Sequence, residues 1–210
     1  SRRLPRGHRK PVCPAWPCGV DGGHDPRGAL HQEGRRARTG PSDRHESVDA
    51  SDLAAVQSQL GRVPRCVAAA GHRCPGGLPN VLRTEPRLPD GTPFPTTYYA
   101  TCPRLTGAIS TLETSGMMRE MTERLGSDPR LASAYAAAHE DYLRRRLELG
   151  DVEELGGTSA GGMPTRVKCL HVLVAHSLAV GPGVNPLGDE ALEALGDWWA
   201  AGPCVPRGEL

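Results

Sequence analysis

Along the chain, apolar positions follow no period before Val48 and clear periods after it. In "VDASDLAAVQSQLG", Leu53, Val56 and Leu60 fall on one helical face, Asp49 or Ser51 can cap the start, and Gly61 marks the stop. "RCVAAAGHRC" (65–74) and "PNVLRTE" (79–85) read as strands. "LPDGTPFP" (88–95) carries turn chemistry around Asp90-Gly91. "TTYYATC" (96–102), aromatic and β-branched, has the strongest strand character of the chain. Helical spacing then takes over. Pro103 stands at a first helical position with a stop at Gly116, and "MMREMTERLG" follows. A long helix opens at Asp128-Pro129, ends at Gly150, and carries Leu131, Tyr135, Ala138 and Tyr142 as its apolar stripe. "DVEELGGTSAGGMP" reads as a mobile glycine-rich linker. "TRVKCLHVLVAHSLAVG" is apolar nearly all round and is therefore expected to be a buried helix. A last helix, expected to be capped by Asp189, carries Leu192, Leu195 and Trp198.

This order of elements predicts an α+β fold. A small antiparallel sheet, about residues 65–102, packs against several helices, and the C-terminal two-thirds is rich in helix. At 210 residues the chain is long enough for one domain with a substantial core. That domain is expected over residues 48–202, with 203–210 as a tail. Residues 1–47, rich in Arg, Gly and Pro, cannot bury enough apolar surface to offset their ordering entropy. They are expected to be a disordered extension, or the product of a misassigned start, since valine can be encoded by an alternative start codon.

Charge sharpens the division. Residues 1–47 hold ten Lys+Arg against five Asp+Glu, whereas residues 48–210 hold fifteen against nineteen. A mildly acidic domain argues against nucleic acid as its main partner. No apolar run reaches membrane-spanning length. The seven cysteines are scattered and odd in number, which with no export signal points to free thiols or metal ligands in the cytoplasm. "GGTSAGG" lacks the Lys-Ser/Thr of a phosphate loop, so no nucleotide cofactor is expected.

The candidate chemistry gathers around "VKCLHVLVAHSLAVG", which sets Cys169, His171 and His176 in an apolar helix. At about 100° per residue, Cys169 and His176 share a direction while His171 points roughly 140° from His176. One regular helix therefore cannot aim all three at one ion, although Cys169 can join a site from an irregular first turn. Two further thiols end predicted strands. Cys74 precedes Pro75-Gly76-Gly77, as in half of a zinc knuckle, and Cys102 stands before Pro103 at a helix start, where a thiolate is favoured. Cys66 reads as a small core residue and Cys204 as incidental. His72 and His139 read as ordinary strand and helix-surface residues, and Arg144, Arg145 and Arg146 as a solvated helix end.

The segments "QLGRVPRCV", "RCPGGLP", "LPDGTPFPTTYYATCPRL", "GMMREMTERL", "VKCLHVLVAH" and "GVNPLGDEAL" occur in the order found in a bacterial family, domain of unknown function 501. Over about residues 48–202 the chain resembles that family, its actinobacterial members in particular. The resemblance implies no activity. It implies characteristic polar positions at Cys74, Cys102, Cys169, His171, His176, Asn185 and Asp189, and a gene-neighbourhood association with cell division.

Three functional expectations follow. In the first, Cys74, Cys102 and Cys169 with His171 or His176 hold zinc. A closed set of four would be structural. An open set of three would be hydrolytic, with Asp189 or Glu113 as base. In the second, no metal is bound and Cys102 is a nucleophile, with His171 or His176 as base and Asn185 orienting it. In the third, the chain is a non-catalytic interaction protein, linked to cell division or the envelope, that meets a protein partner through Trp198-Trp199 or the long helix.

Overall fold

A computed structural model describes residues 45–205. Residues 1–44, and with them most of the segment read above as an extension, lie outside the described residues. His45 and Glu46 are already joined to the domain. Glu46 bridges to Ala70 and pairs with Arg73 at 2.6 Å, while the His45 ring lies 5.8 Å from that of Tyr98.

Helix α1 (Ala50–Leu60) begins with a capping box. Asp49 accepts from Asp52 N at 2.9 Å, and the Asp52 carboxylate accepts from Asp49 N. It ends at Gly61, whose φ of 65° is cheap only for a residue without Cβ. Three strands follow, β1 (Val67–Arg73), β2 (Pro79–Thr84) and β3 (Tyr98–Ala100). They form one antiparallel sheet in the order β1-β2-β3. The middle strand is buried at every position, as a strand covered on both faces must be. The ladder of β3 is shorter than its composition predicts, but flanking groups still bond to β2, Thr84 N donating to Thr97 O and Thr101 N to Asn80 O.

Helices α2 (Pro103–Glu113), α3 (Met117–Ser127), α4 (Pro129–Leu147), α5 (Leu170–Val180) and α6 (Pro186–Leu195) build the rest, with a short 3-10 turn at Glu153–Leu155. The α+β architecture is as the sequence predicts. Helix α5 is the hub: it packs on the sheet and on α2 and α6, and Leu170, Leu173, Val174 and Ala175 are fully buried. Each of the leucine and valine side chains contributes about 1.5–3 kcal/mol by leaving water. Helix α4 brings Tyr135 and Tyr142, each 0% exposed, to the same core, and its Ala138 is fully buried as well. The crossing of α5 and α6 is tight at Gly188, where a Cβ would collide with Leu173 O and Ser177 Oγ.

Four local expectations are corrected. The cap of α6 is Asn185, whose side chain accepts from Gly188 N at 3.1 Å; Asp189 instead accepts from Gly183 N at 2.7 Å. The glycine-rich stretch after α4 is not a free linker. Arg146 donates to Thr158 O (2.7 Å) and Gly156 O (3.0 Å), and Ser159, buried, donates to Met163 O. His139 is buried and makes a 2.9 Å contact with Ser159 Oγ. Arg145 and Arg146 are likewise buried, so the arginine run is a packing element and only Arg144 faces solvent. Among the described residues no helix is long and apolar enough to cross a membrane.

Candidate functional site

Helix α5 starts at Leu170, which leaves Cys169 as its N-cap in extended conformation (φ −157°, ψ 116°). The thiol makes no cap bond to its own helix. Outside the helical regime, Cys169 is freed from the 100° spacing and reaches the side on which His171 lies. The exposed end of α5 is capped instead from a distance. Glu113, the last residue of α2, accepts from Leu170 N at 2.7 Å. A carboxylate is favoured there by the unsatisfied N–H groups and the helix dipole. The same Glu113 Oε1 lies 3.2 Å from His171 Nδ1.

One ligand atom each from Glu113, Cys169 and His171 thus falls within 4.8 Å of the others. Among the described residues this is the single cluster of its kind. It is half-buried, with side-chain exposures of 23% for Glu113 and 29% for His171. The hydrogen bond with Cys169 raises the His171 pKa to about 9, partial burial opposes it, and the Glu113 charge adds to the rise. An oxygen, a sulfur and a nitrogen donor therefore face one small volume at the domain surface.

The second histidine of α5 is used differently. His176 is 0% exposed, and both ring nitrogens are engaged. Nε2 lies 3.0 Å from Asp141 Oδ2, and Nδ1 lies 3.3 Å from Asn185 Nδ2. Because the Asn185 oxygen already accepts from Gly188 N, its NH2 donates to Nδ1, and the proton of the neutral ring sits on Nε2, facing Asp141. The ring stacks on Tyr98 (centroids 5.7 Å, 16°) and meets Tyr142 edge-on (5.3 Å, 85°). Burial pushes the His176 pKa down, against the pull of Asp141. Burial pushes Asp141 up, but hydrogen bonds from His176, Arg145 and Arg144 outweigh it and hold the carboxyl below the usual carboxylate range. His176 is a strut joining α5 to α4, α6 and β3, with no nitrogen left for a metal.

The remaining thiols gather at the end of the sheet. Strands β1 and β3 run the same way on either side of β2, so Cys74 after β1 and Cys102 after β3 emerge together. Cys74 opens the β-hairpin, its carbonyl accepting from Gly77 N at 2.8 Å. Cys102 is the N-cap of α2. Both line a cavity of about 260 Å³ together with Arg104, Trp198, Trp199 and Cys204. Cys204 lines it with Cys102 and accepts from Gln59 Nε2 at 3.3 Å. The bond from Cys204 brings the Cys102 thiol down to about 6; burial opposes, and the Leu105 and Arg104 N–H groups assist. The same contact pushes Cys204 up. Cys66 lies apart, beside a much smaller cavity with Leu82 and Tyr99.

The five expected ligands therefore do not converge. Cys169 and His171 meet, Cys74 and Cys102 share another cavity, and His176 is enclosed. Asp189, expected as a base, is tied to Gly183. Glu113, considered only as a base, sits among the donors. Asp141 was missed, although its spacing of four from Arg145 is a local ion-pair signal. Cys204 was set aside because it lies in a polar tail, and no local signal places it beside Cys102.

Compared with protein-family models, residues 70–193 match the one described as Protein of unknown function (DUF501). That span holds Cys74, Cys102, Glu113, Asp141, Cys169, His171 and His176, whereas Trp198 and Cys204 lie beyond it. No curated protein and no solved structure matches the chain.

Proposed function

The chain belongs to that family, and from this premise we propose that it binds a transition-metal ion of the zinc class through Glu113, Cys169 and His171. The observation that carries the reading is the convergence of three different donor atoms from two helices within 4.8 Å. Carboxylate oxygen, thiolate sulfur and imidazole nitrogen are a donor set that zinc accepts in tetrahedral geometry. Three protein ligands leave a fourth position for water, and the half-open setting gives solvent and a small substrate access to it. A zinc-bound water ionises near neutral pH, so the chemistry this arrangement supports best is hydrolytic. With Glu113 as ligand and Asp189 occupied, bulk solvent takes the proton. The thiols at Cys66, Cys74, Cys102, Cys169 and Cys204 are free, which suits a reducing compartment, and we place the activity in the cytoplasm.

The test is elemental analysis of the full chain purified without chelator or affinity metal. About one zinc per folded chain is expected. Cys169→Ala and His171→Ala lose it, whereas Cys74→Ala keeps it. A folded wild-type chain without metal, which also fails to take up added zinc, removes the reading.

A further inference from the structure

We propose that Cys102 and Cys204 form a redox-active dithiol that reduces a carboxylate-bearing, low-molecular-mass disulfide seated in the cavity beside Trp198 and Trp199. The geometry has three parts. Two thiols from segments about a hundred residues apart are brought to one place, Cys204 packing against the core of which Cys102 is a member. Both open on the same cavity, whose third thiol is Cys74. Its volume of about 260 Å³ lies just below the usual range of small-molecule pockets and suits one half of a small-peptide disulfide.

The lining says what the ligand carries. Arg104 Nε and Trp198 Nε1 are buried donors with no hydrogen-bond partner among the described residues, and both side chains line the cavity. Arg104 is fixed by its Nη2, which donates to Pro203 O at 3.3 Å. A carboxylate entering here gains a charge-assisted bond from Arg104 and a bond from the indole, and it satisfies donors that are otherwise costly to bury. Trp198 and Trp199, in edge-to-face contact at 4.4 Å, supply the apolar wall.

The exchange balances within the proposed reactants. Cys102 thiolate attacks one sulfur of the disulfide RSSR, forming Cys102–S–S–R and expelling RS⁻. Cys204 gives up its proton, by way of solvent, to that thiolate. Its sulfur then attacks the sulfur of Cys102, forming the Cys102–Cys204 disulfide and releasing the second RS⁻, which takes the proton originally lost by Cys102. Two protein thiols are oxidised and one disulfide is reduced to two RSH. The α2 N-terminus, where Cys102 is the N-cap, favours the attacking thiolate, and Gln59 donates to Cys204 as its charge develops.

The test uses the full reduced chain in a chelating buffer at neutral pH, which keeps the metal reading out of the result. Oxidised glutathione is the probe, and intact mass and peptide mapping follow the products. Wild type is expected to lose two hydrogens and yield a Cys102–Cys204 cross-link. Cys204→Ser is expected to stop at one glutathionyl group on Cys102, and Cys102→Ser to form neither species. Arg104→Gln is expected to slow reaction with oxidised glutathione roughly tenfold while leaving the rate with cystamine, which has no carboxylate, unchanged. If a serine variant fails to fold, iodoacetamide labelling of the wild type decides: Cys102 should react at pH 6.5 well ahead of Cys66, whose thiol burial pushes up. Glutathionylation spread over the surface thiols with no Cys102–Cys204 cross-link overturns the dithiol. Equal slowing of both probes by Arg104→Gln overturns the carboxylate site.

Discussion

Helix α5 carries two histidines five residues apart, and the fold uses them in opposite ways. His171, in the first turn, is part-exposed and faces two donors, the Glu113 carboxylate and the Cys169 sulfur, from segments that end there. His176, in the middle of the helix, is wholly enclosed, with each nitrogen committed to one partner and the ring stacked on Tyr98 and edge-to-face with Tyr142. The difference is positional. A helix end leaves backbone N–H groups that attract acidic side chains, and those side chains also make a ligand set. A helix middle offers only side-chain partners, so a buried imidazole must be satisfied completely. One position is in part open to solvent and the other is closed to it.

The largest way to break the contrast is His176→Ala. It opens a cavity and strips Asp141 and Asn185 of partners, with a loss of about 3–5 kcal/mol expected in urea unfolding. His171→Ala should cost about 1 kcal/mol or less and, on the metal reading, abolish bound metal. Equal losses at the two sites would erase the distinction drawn here. Asn185→Ala comes next at about 2 kcal/mol, because one side chain both caps α6 and donates to His176.

Acid should separate the sites without mutation. His176 and Asp141 both have folded pKa values below their unfolded ones. The unfolded chain then binds more protons, so the stability each group adds is full above its unfolded pKa and is lost as pH falls. A first decline is expected below about pH 6.5 from His176 and a second below about pH 4 from Asp141. Urea midpoints from pH 8 to 3 would show both. His176→Gln should remove the first step, and its persistence in that variant would assign it elsewhere. The smallest effect belongs to Glu113→Gln. It weakens a helix-end interaction by about 0.5–1 kcal/mol and, on the metal reading, releases the ion.

The local parts of this fold were readable in the sequence. Asp49, Gly61, Pro103 and Asp128-Pro129 mark helix ends by chemistry confined to a few residues, and the structure places helix ends there. Helical spacing also separated His171 from His176. The partners were hidden because they are remote. Glu113 reaches Leu170 across 57 residues and Asp141 reaches His176 across 35. No period along the chain encodes such a meeting, which depends on how α2 and α4 lie against α5. The arginine run misled for a related reason. Charge predicts solvent, but Arg146 runs inward to satisfy the carbonyls of the glycine-rich stretch.

The close crossing at Gly188 has a consequence for the tolerance of the sequence to change. There the alphabet shrinks to one letter, since even a methyl group would displace the backbone of α5 at Leu173. Gly107 and Gly126, also in helices, have nothing within 4 Å of where a Cβ would stand, and alanine at either should stabilise the chain by about 0.5–1 kcal/mol. A saturation library sorted for folded protein should therefore return glycine alone at position 188 and a broad choice at positions 107 and 126, three helical glycines told apart by what stands opposite them.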